Sequence, residues 1–263
     1  MIPLVLMLEQ IQELVTKQLA TSPAGSGLCL IGGFRYRLLD HSARISRDVD
    51  YHWDGDLAIK QSDIVALLRQ KLLPEVKQTF HYDGDVRPAT GSDADSPAVR
   101  IIDLAFWKLG VPNSRIELPI DITSIPCLDG PVAKTVAGTI YLTASNADMI
   151  ESKVLALLNR TVLEQRDFCD LFMFSSHLLD NSSQRIAQKL KLISFPPERV
   201  QARLRAIMES RAYHIRAIED VIEQQLDKTV AVNLKLAGGG AMILDSACKT
   251  LVDRLSLALE ISP

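Results

Sequence analysis

Residues 28–53 read LCLIGGFRYRLLDHSARISRDVDYHW, and their pattern decides the fold. LCLI is a short apolar run of strand character. It ends at Gly32-Gly33, where the missing Cβ atoms let the backbone turn tightly and a ligand approach closely. Phe34 to Leu39 predicts a brief helix. Strand character returns over Asp48–Trp53, with Val49, Tyr51 and Trp53 on one face and Asp48 and Asp50 on the other. Two carboxylates on one face of a strand can hold a divalent cation through oxygen. An exposed sheet face would carry the same residues, so the rest of the chain has to choose between the readings.

Upstream, Leu4, Leu8, Ile11, Val15 and Leu19 recur at helical spacing and predict an amphipathic helix over 4–20, closed by the breaker stretch TSPAGSG. Downstream, Ser62 reads as the cap of a helix running to about Gln78, with Ile64, Leu67, Leu68 and Leu72 as its buried stripe and Pro74 as a point of kinking. Residues 81–97 are rich in Asp, Gly, Pro and Ser and read as loop. VRIIDLAFW (99–107) and RIELPIDIT (115–123), joined by the turn formers of GVPNS, predict an antiparallel hairpin, and TIYLTA (139–144) a further strand. From about residue 145 the periodicity is helical almost to the end, interrupted by NSS, SFPPE and AGGG. The expected fold class is therefore α+β: a mixed sheet with flanking helices in 1–145, followed by a helical bundle in 146–263.

The other acidic pairs read differently. Asp54/Asp56 and Asp83/Asp85 have glycine between them, the composition of a turn, and Asp93/Asp95 sit in GSDADSP, which reads as solvated loop. Asp121 stands between Ile120 and Ile122 in a segment expected to be buried, where a carboxylate is costly unless paired or bound to metal. Convergence of Asp48, Asp50 and Asp121 would concentrate negative charge that Mg²⁺ neutralises, a site suited to phosphoryl transfer.

Composition narrows the alternatives. With a formal charge of −3, the chain is not coated for indiscriminate nucleic-acid binding. Residues 185–216 are locally basic, with eight Lys and Arg against Glu198 and Glu209, which reads either as an RNA-facing surface or as solvated helix faces. Cys29, Cys127, Cys169 and Cys248 form no metal or disulfide pattern and fit a reducing cytoplasm. The five histidines show no ligand spacing; His52 shares the face of Asp48 and Asp50, where a structural role is favoured. AGGGAM lacks the Lys-Ser/Thr of a phosphate-binding loop and reads as a helix-joining loop. The opening apolar run lacks the flanks of a signal peptide, and no segment has the ~18 apolar residues of a membrane span.

Taken together, GGFRYRLLDHSARISRDVDYHW resembles the Gly-Gly then Arg-x-Ser-x-Asp-x-Asp pattern of the AbiEii/AbiGii-type nucleotidyltransferase toxins of the DNA polymerase β superfamily. Gly32, Gly33, Arg44, Ser46, Asp48 and Asp50 carry it. ESKVLALLNR resembles the family's Lys-x-x-Ala-x-x-x-Arg helix through Lys153, Ala156 and Arg160, and RDFCDLF its Arg-Asp-x-x-Asp helix through Arg166, Asp167 and Asp170. The resemblance covers residues 28–174. It implies a polymerase β-like catalytic domain over 1–145, and a helical domain over 146–263 that completes the nucleotide cleft and can bind the acceptor. It further implies that Gly32 and Gly33 cradle the triphosphate, that Asp48, Asp50 and Asp121 bind Mg²⁺ or Mn²⁺, and that Lys153 reaches the NTP. Arg44, Ser46, Arg160, Asp167 and Asp170 complete the implied site. Asp167 and Asp170 either anchor Lys153 or Arg160 or act near the acceptor hydroxyl, with anchoring favoured. The implied acceptor is RNA, the 3′ end of tRNA, and the implied partner an antitoxin, in the cytoplasm. A catalytically inactive binding module and a protein-modifying transferase are the alternatives. Phe34 departs from the family, which has Ser or Thr after the glycine pair; Arg35 or Arg37 then either compensates for the lost hydroxyl or is a solvated helix residue.

Overall fold

The computed structural model describes residues 4–90, 98–111 and 114–260. By internal contact the chain divides into two compact units, Met1–Ile125 with Pro131–Ala144, and Pro126–Gly130 with Ser145–Pro263.

The first unit is a mixed sheet with helices. Its strands are β1 (Cys29–Ile31), β2 (Val49–His52), β3 (Tyr82–Pro88), β4 (Val99–Lys108), β5 (Ile116–Thr123), β6 (Val132–Val136) and β7 (Thr139–Thr143), in the spatial order β3-β4-β5-β2-β1-β7-β6. β2 runs parallel to β5 and β1 parallel to β7, while the other neighbours are antiparallel. Helices α1 (Leu4–Ala20), α2 (Gly32–Asp40) and α3 (Leu57–Phe80) complete the unit. Ile11, Val15 and Leu19 of α1 and Ile64, Leu68 and Leu72 of α3 join Val49, Ile120 and Ile122 in one buried cluster. Burying these side chains removes apolar surface from water, the main force assembling the layers. The expected α1, the β4–β5 hairpin and the short α2 all form.

Several expectations are corrected by the structure. Asp56, not Ser62, caps α3: its Oδ1 accepts from the N–H groups of Ala58 (2.8 Å) and Ile59 (3.0 Å). Ser62 lies inside the helix and donates back to the Ala58 carbonyl. The extra first turn is held by Lys60, whose ammonium lies 3.8 Å from the centre of the Trp53 ring and donates to the carbonyls of Ala24 and Ser26. Residues 82–88, expected as loop, form β3, and Val132–Val136 form β6, a strand not expected at all. Both lie at sheet edges, where one neighbour suffices and little need be buried. β3 fully buries only Val86, and β6 no residue. Asp83 and Asp85 thus lie on a strand rather than in a turn, and Asp93 and Asp95 fall outside the described residues.

The second unit is helical: α4 (Asn146–Asn159), α5 (Gln165–Phe174), α6 (Ser182–Leu192), α7 (Pro197–Glu209), α8 (Arg211–Gln225), α9 (Lys228–Leu236) and α10 (Gly239–Glu260). Ile150, Val154, Leu157, Phe168, Leu171, Ile186, Ile218, Ile222, Leu244 and Leu251 form its core. The expected AGGG loop shrinks to Ala237-Gly238. Gly239 and Gly240 instead open α10, and the Gly240 N–H donates to Glu219 Oε1 at 2.6 Å. Pro126–Gly130 groups with these helices because the N–H groups of Leu128 and Asp129 donate to the Asp148 carboxylate at 3.0 and 2.9 Å. Arg185 then bridges Asp129, Asp148 and Glu151 at 2.8–2.9 Å. No described helix is long and apolar enough to cross a membrane.

Candidate active site

The glycine pair is placed where β1 turns into α2. Ile31 is in register with Asp50 of β2, and Gly32 follows with φ +73°, a conformation that glycine adopts without strain. A Cβ on Gly32 would overlap Asp50 Oδ2. One on Gly33 would overlap the Arg44 guanidinium and stand 2.8 Å from Ser46 Oγ. The two glycines therefore make room for two specific side chains, and they bring Asp50, Arg44 and Ser46 against the turn. Arg44 and Ser46 are both buried, and the Ser46 hydroxyl donates to Asp48 Oδ1 at 2.7 Å.

Asp121 comes to the same place through strand order. β2 and β5 are parallel neighbours in which Asp50 pairs with Asp121, Val49 with Ile120 and Tyr51 with Ile122. Val49, Tyr51, Ile120 and Ile122 all enter the core, so the alternation of side chains puts Asp50 and Asp121 together on the opposite face. Both are partly buried, and Asp121 Oδ1 is fully so. Carboxylates are hard oxygen donors suited to Mg²⁺, and the missing Cβ of Gly32 leaves room for the Asp50 carboxylate against the turn. Asp48 precedes the ladder, and its carboxylate is held by Ser46. Among the described residues, no three His, Cys, Asp or Glu side chains are gathered closely enough to hold a metal ion as they stand.

Phe34, the departure from the family pattern, is a core residue with 1% exposure. Its side chain joins the apolar cluster that includes Leu30 and Val49. Arg35 and Arg37 are not solvated helix residues. Arg35 is fully buried, ion-paired with Asp40 and donating through Nε to Thr143 Oγ1 at 3.0 Å; burial lowers its pKa against the opposing pull of Asp40. Asp40 also receives Lys134 at 2.6 Å, and the Thr143 hydroxyl donates to the Leu30 carbonyl at 2.8 Å, so the chain of contacts ends on β1 just before the glycines. Arg37 binds Glu9 (2.6 Å) and the Ser42 carbonyl (2.8 Å). His52 is structural: its Nδ1 accepts from the Ile125 N–H, and Nε2 lies 3.2 Å from Asp54.

In the helical unit, the Lys153 ammonium lies 2.9 Å from both Asp167 and Asp170, and Arg160 lies 3.2 Å from Asp167. The two aspartates are fully buried, so these cations supply the partners that buried carboxylates require. The basic stretch 185–216 is only partly surface. Lys189 is fully buried between Asp148 (2.6 Å) and Glu151 (2.8 Å), Arg185 is committed to the same acids, and Arg203 donates to the carbonyls of Leu158 and Arg160. Lys191, Arg199, Arg205 and Arg216 are the exposed cations of the eight, alongside exposed Glu198 and Glu209.

The family described as "Nucleotidyl transferase AbiEii toxin, Type IV TA system" matches residues 13–231, most of the chain. The chain belongs to the AbiEii nucleotidyl transferase toxin family. Solved structures share the AbiEii chain's fold at low identity. A putative nucleotidyltransferase from Helicobacter pylori is 15% identical with a TM-score of 0.55, and all of each chain is covered. JHP933, also from Helicobacter pylori, is 14% identical with a TM-score of 0.54, covering 98% of this chain and 94% of that one. MenT4, a nucleotidyltransferase toxin from Mycobacterium tuberculosis H37Rv, is 13% identical with a TM-score of 0.53, covering 98% and 85%. At these identities the likeness is one of fold. No curated protein matches.

Proposed function

We propose that this AbiEii-family chain transfers a nucleoside monophosphate from an NTP to an RNA acceptor, the 3′ end of tRNA, in a reaction dependent on Mg²⁺ or Mn²⁺. The observation that carries the reading is the in-register pair Asp50 and Asp121, set beside a glycine turn that opens a helix. The backbone N–H groups at the start of α2 are donors for phosphate, and the helix dipole favours negative charge there. Asp48, Asp50 and Asp121 are the residues proposed to hold the metal, which supplies charge neutralisation and alignment of the triphosphate when bound. In the reaction the acceptor hydroxyl oxygen gives up its proton to solvent and bonds to the α-phosphorus, the bond from that phosphorus to the α–β bridging oxygen breaks, and pyrophosphate leaves with its electron pair. Arg44 and Ser46 brace the turn and Asp48. Lys153 is proposed as a phosphate-contacting cation whose ammonium Asp167 and Asp170 orient, with Arg160 sharing Asp167. The family's system type supports an antitoxin as partner, and with it action in the cytoplasm.

The test is incubation of the full chain with each labelled NTP, Mg²⁺ and total tRNA. Wild type is expected to label tRNA. Asp50→Ala is expected to lose about 10²–10³-fold in rate, the scale of removing one central electrostatic group, and Lys153→Ala to raise the KM for NTP. Equal labelling by wild type and Asp50→Ala would sink the assignment. A second reading, a binding module that kept the fold without the chemistry, is motivated by Phe34, which stands where the family has Ser or Thr after the glycine pair. Calorimetry with NTP and Mg²⁺ beside the labelling assay separates the two, because metal-dependent NTP binding with no label transferred would favour the inert module, and transfer abolished by Asp50→Ala excludes it.

A further inference from the structure

Asp48 differs from its two companions in how its backbone is held. Asp50 and Asp121 lie within ladders, each strand flanked on both sides, so their main chains are fixed by inter-strand hydrogen bonds. Asp48 lies before β2, in an irregular segment that follows α2. One side chain there takes the place of a neighbouring strand. Gln12, 1% exposed on α1, directs its amide nitrogen to two carbonyls of this segment, Ser46 O at 3.1 Å and Asp48 O at 3.2 Å. Its two amide protons match those two acceptors two residues apart. Ser46, pinned by this contact, is the residue whose hydroxyl holds Asp48 Oδ1. Gln12 sits one residue before the stretch matched by the AbiEii family and beside the apolar stripe of Ile11 and Val15.

We infer that Gln12 is a positioning residue for the metal-binding carboxylate Asp48, acting through the main chain of residues 46–48. The inference rests on the proposed role of Asp48, Asp50 and Asp121. Buried donors of this kind are costly to lose, because the acceptors stay buried without them. Their geometric consequence is local: without Gln12 the segment can shift while the sheet stays intact.

The experiment measures Mn²⁺ affinity of the full chain by electron paramagnetic resonance, together with KM for Mg²⁺ and kcat in the transfer assay. Gln12→Met keeps the volume and removes both donors. Gln18→Met on the same helix, which breaks a hydrogen bond to Glu75 instead, controls for general loosening of α1. The expected result is about tenfold weaker Mn²⁺ binding and a raised KM for Mg²⁺ in Gln12→Met, with Gln18→Met at the wild-type value. Wild-type affinity in Gln12→Met, when Asp50→Ala has lost Mn²⁺, overturns the inference alone. Wild-type affinity in Asp50→Ala overturns the functional reading, and this inference with it. If Gln12→Met does not fold, the Gln12 side-chain amide of the wild-type protein is followed by NMR. Coupling between sites is reciprocal, so Mg²⁺ must slow exchange of those amide protons, and unchanged exchange overturns the inference.

Discussion

Gly32 shows how one missing atom fixes a site. Its φ of +73° and the overlap that a Cβ would make with Asp50 Oδ2 are independent requirements, and alanine fails both. Gly32→Ala is expected to destabilise the fold by about 1–3 kcal/mol, the range for one strained residue. Its effect on nucleotide transfer should exceed what that instability explains, because Asp50 must move to admit the methyl group. Urea unfolding measures the first, and transfer rates under conditions where the variant is fully folded measure the second; a folded Gly32→Ala with wild-type rate would refute the placement. The glycine pair and the aspartates were legible as residue types, since a Gly-Gly after an apolar strand and alternating carboxylates have simple physical readings. The contact of Arg35 with Thr143 was not, because the two side chains lie far apart along the chain.

At the level of elements, periodicity specified what is buried and failed where little is. α1, β4 and β5 carry strong apolar patterns and form as expected. The edge strands β3 and β6 bury almost nothing, so their sequences lack the alternation that marks a strand. The start of α3 makes a sharper case, since Asp56 and Ser62 are both competent caps by type. Asp56 accepts two backbone N–H groups, so Asp56→Ala is expected to cost about 1 kcal/mol. Ser62 makes a bond back into its own helix, so Ser62→Ala should be neutral or stabilising by a few tenths of a kcal/mol. Thermal or urea unfolding of the two variants distinguishes the assignments, and the reverse order of effects would return the cap to Ser62.

For the whole molecule, the destination of charge matters more than its count. The formal −3 and the basic stretch of 185–216 describe the chain as if every ionisable group met solvent. The fold takes Lys189 out of water entirely, with Asp148 and Glu151 as its partners, and Arg185 seals the same acids. Removing one partner of a buried ion pair leaves uncompensated charge, so Lys189→Met is expected to cost about 3–5 kcal/mol. Chemical denaturation reads this directly, and a loss below about 1 kcal/mol would mean that Lys189 is solvated. The exposed basic surface is correspondingly smaller than the sequence count implies: Lys191, Arg199, Arg205 and Arg216 are the exposed cations of that stretch.

The sequence by itself determined the types of the strongly patterned elements, the faces of the central strands, the carboxylates proposed to hold a metal and the family likeness. These depend on local geometry, such as the two-residue alternation of a strand and the missing Cβ of glycine, which neighbouring residues already encode. Tertiary structure alone decided that β2 lies between β1 and β5 with Asp50 opposite Asp121. It also decided that Gln12 reaches the carbonyls beside Asp48, and that half of a basic stretch is neutralised or buried. Those outcomes follow from long-range hydrogen bonding and from the burial of a shared core, which no single segment of the chain carries.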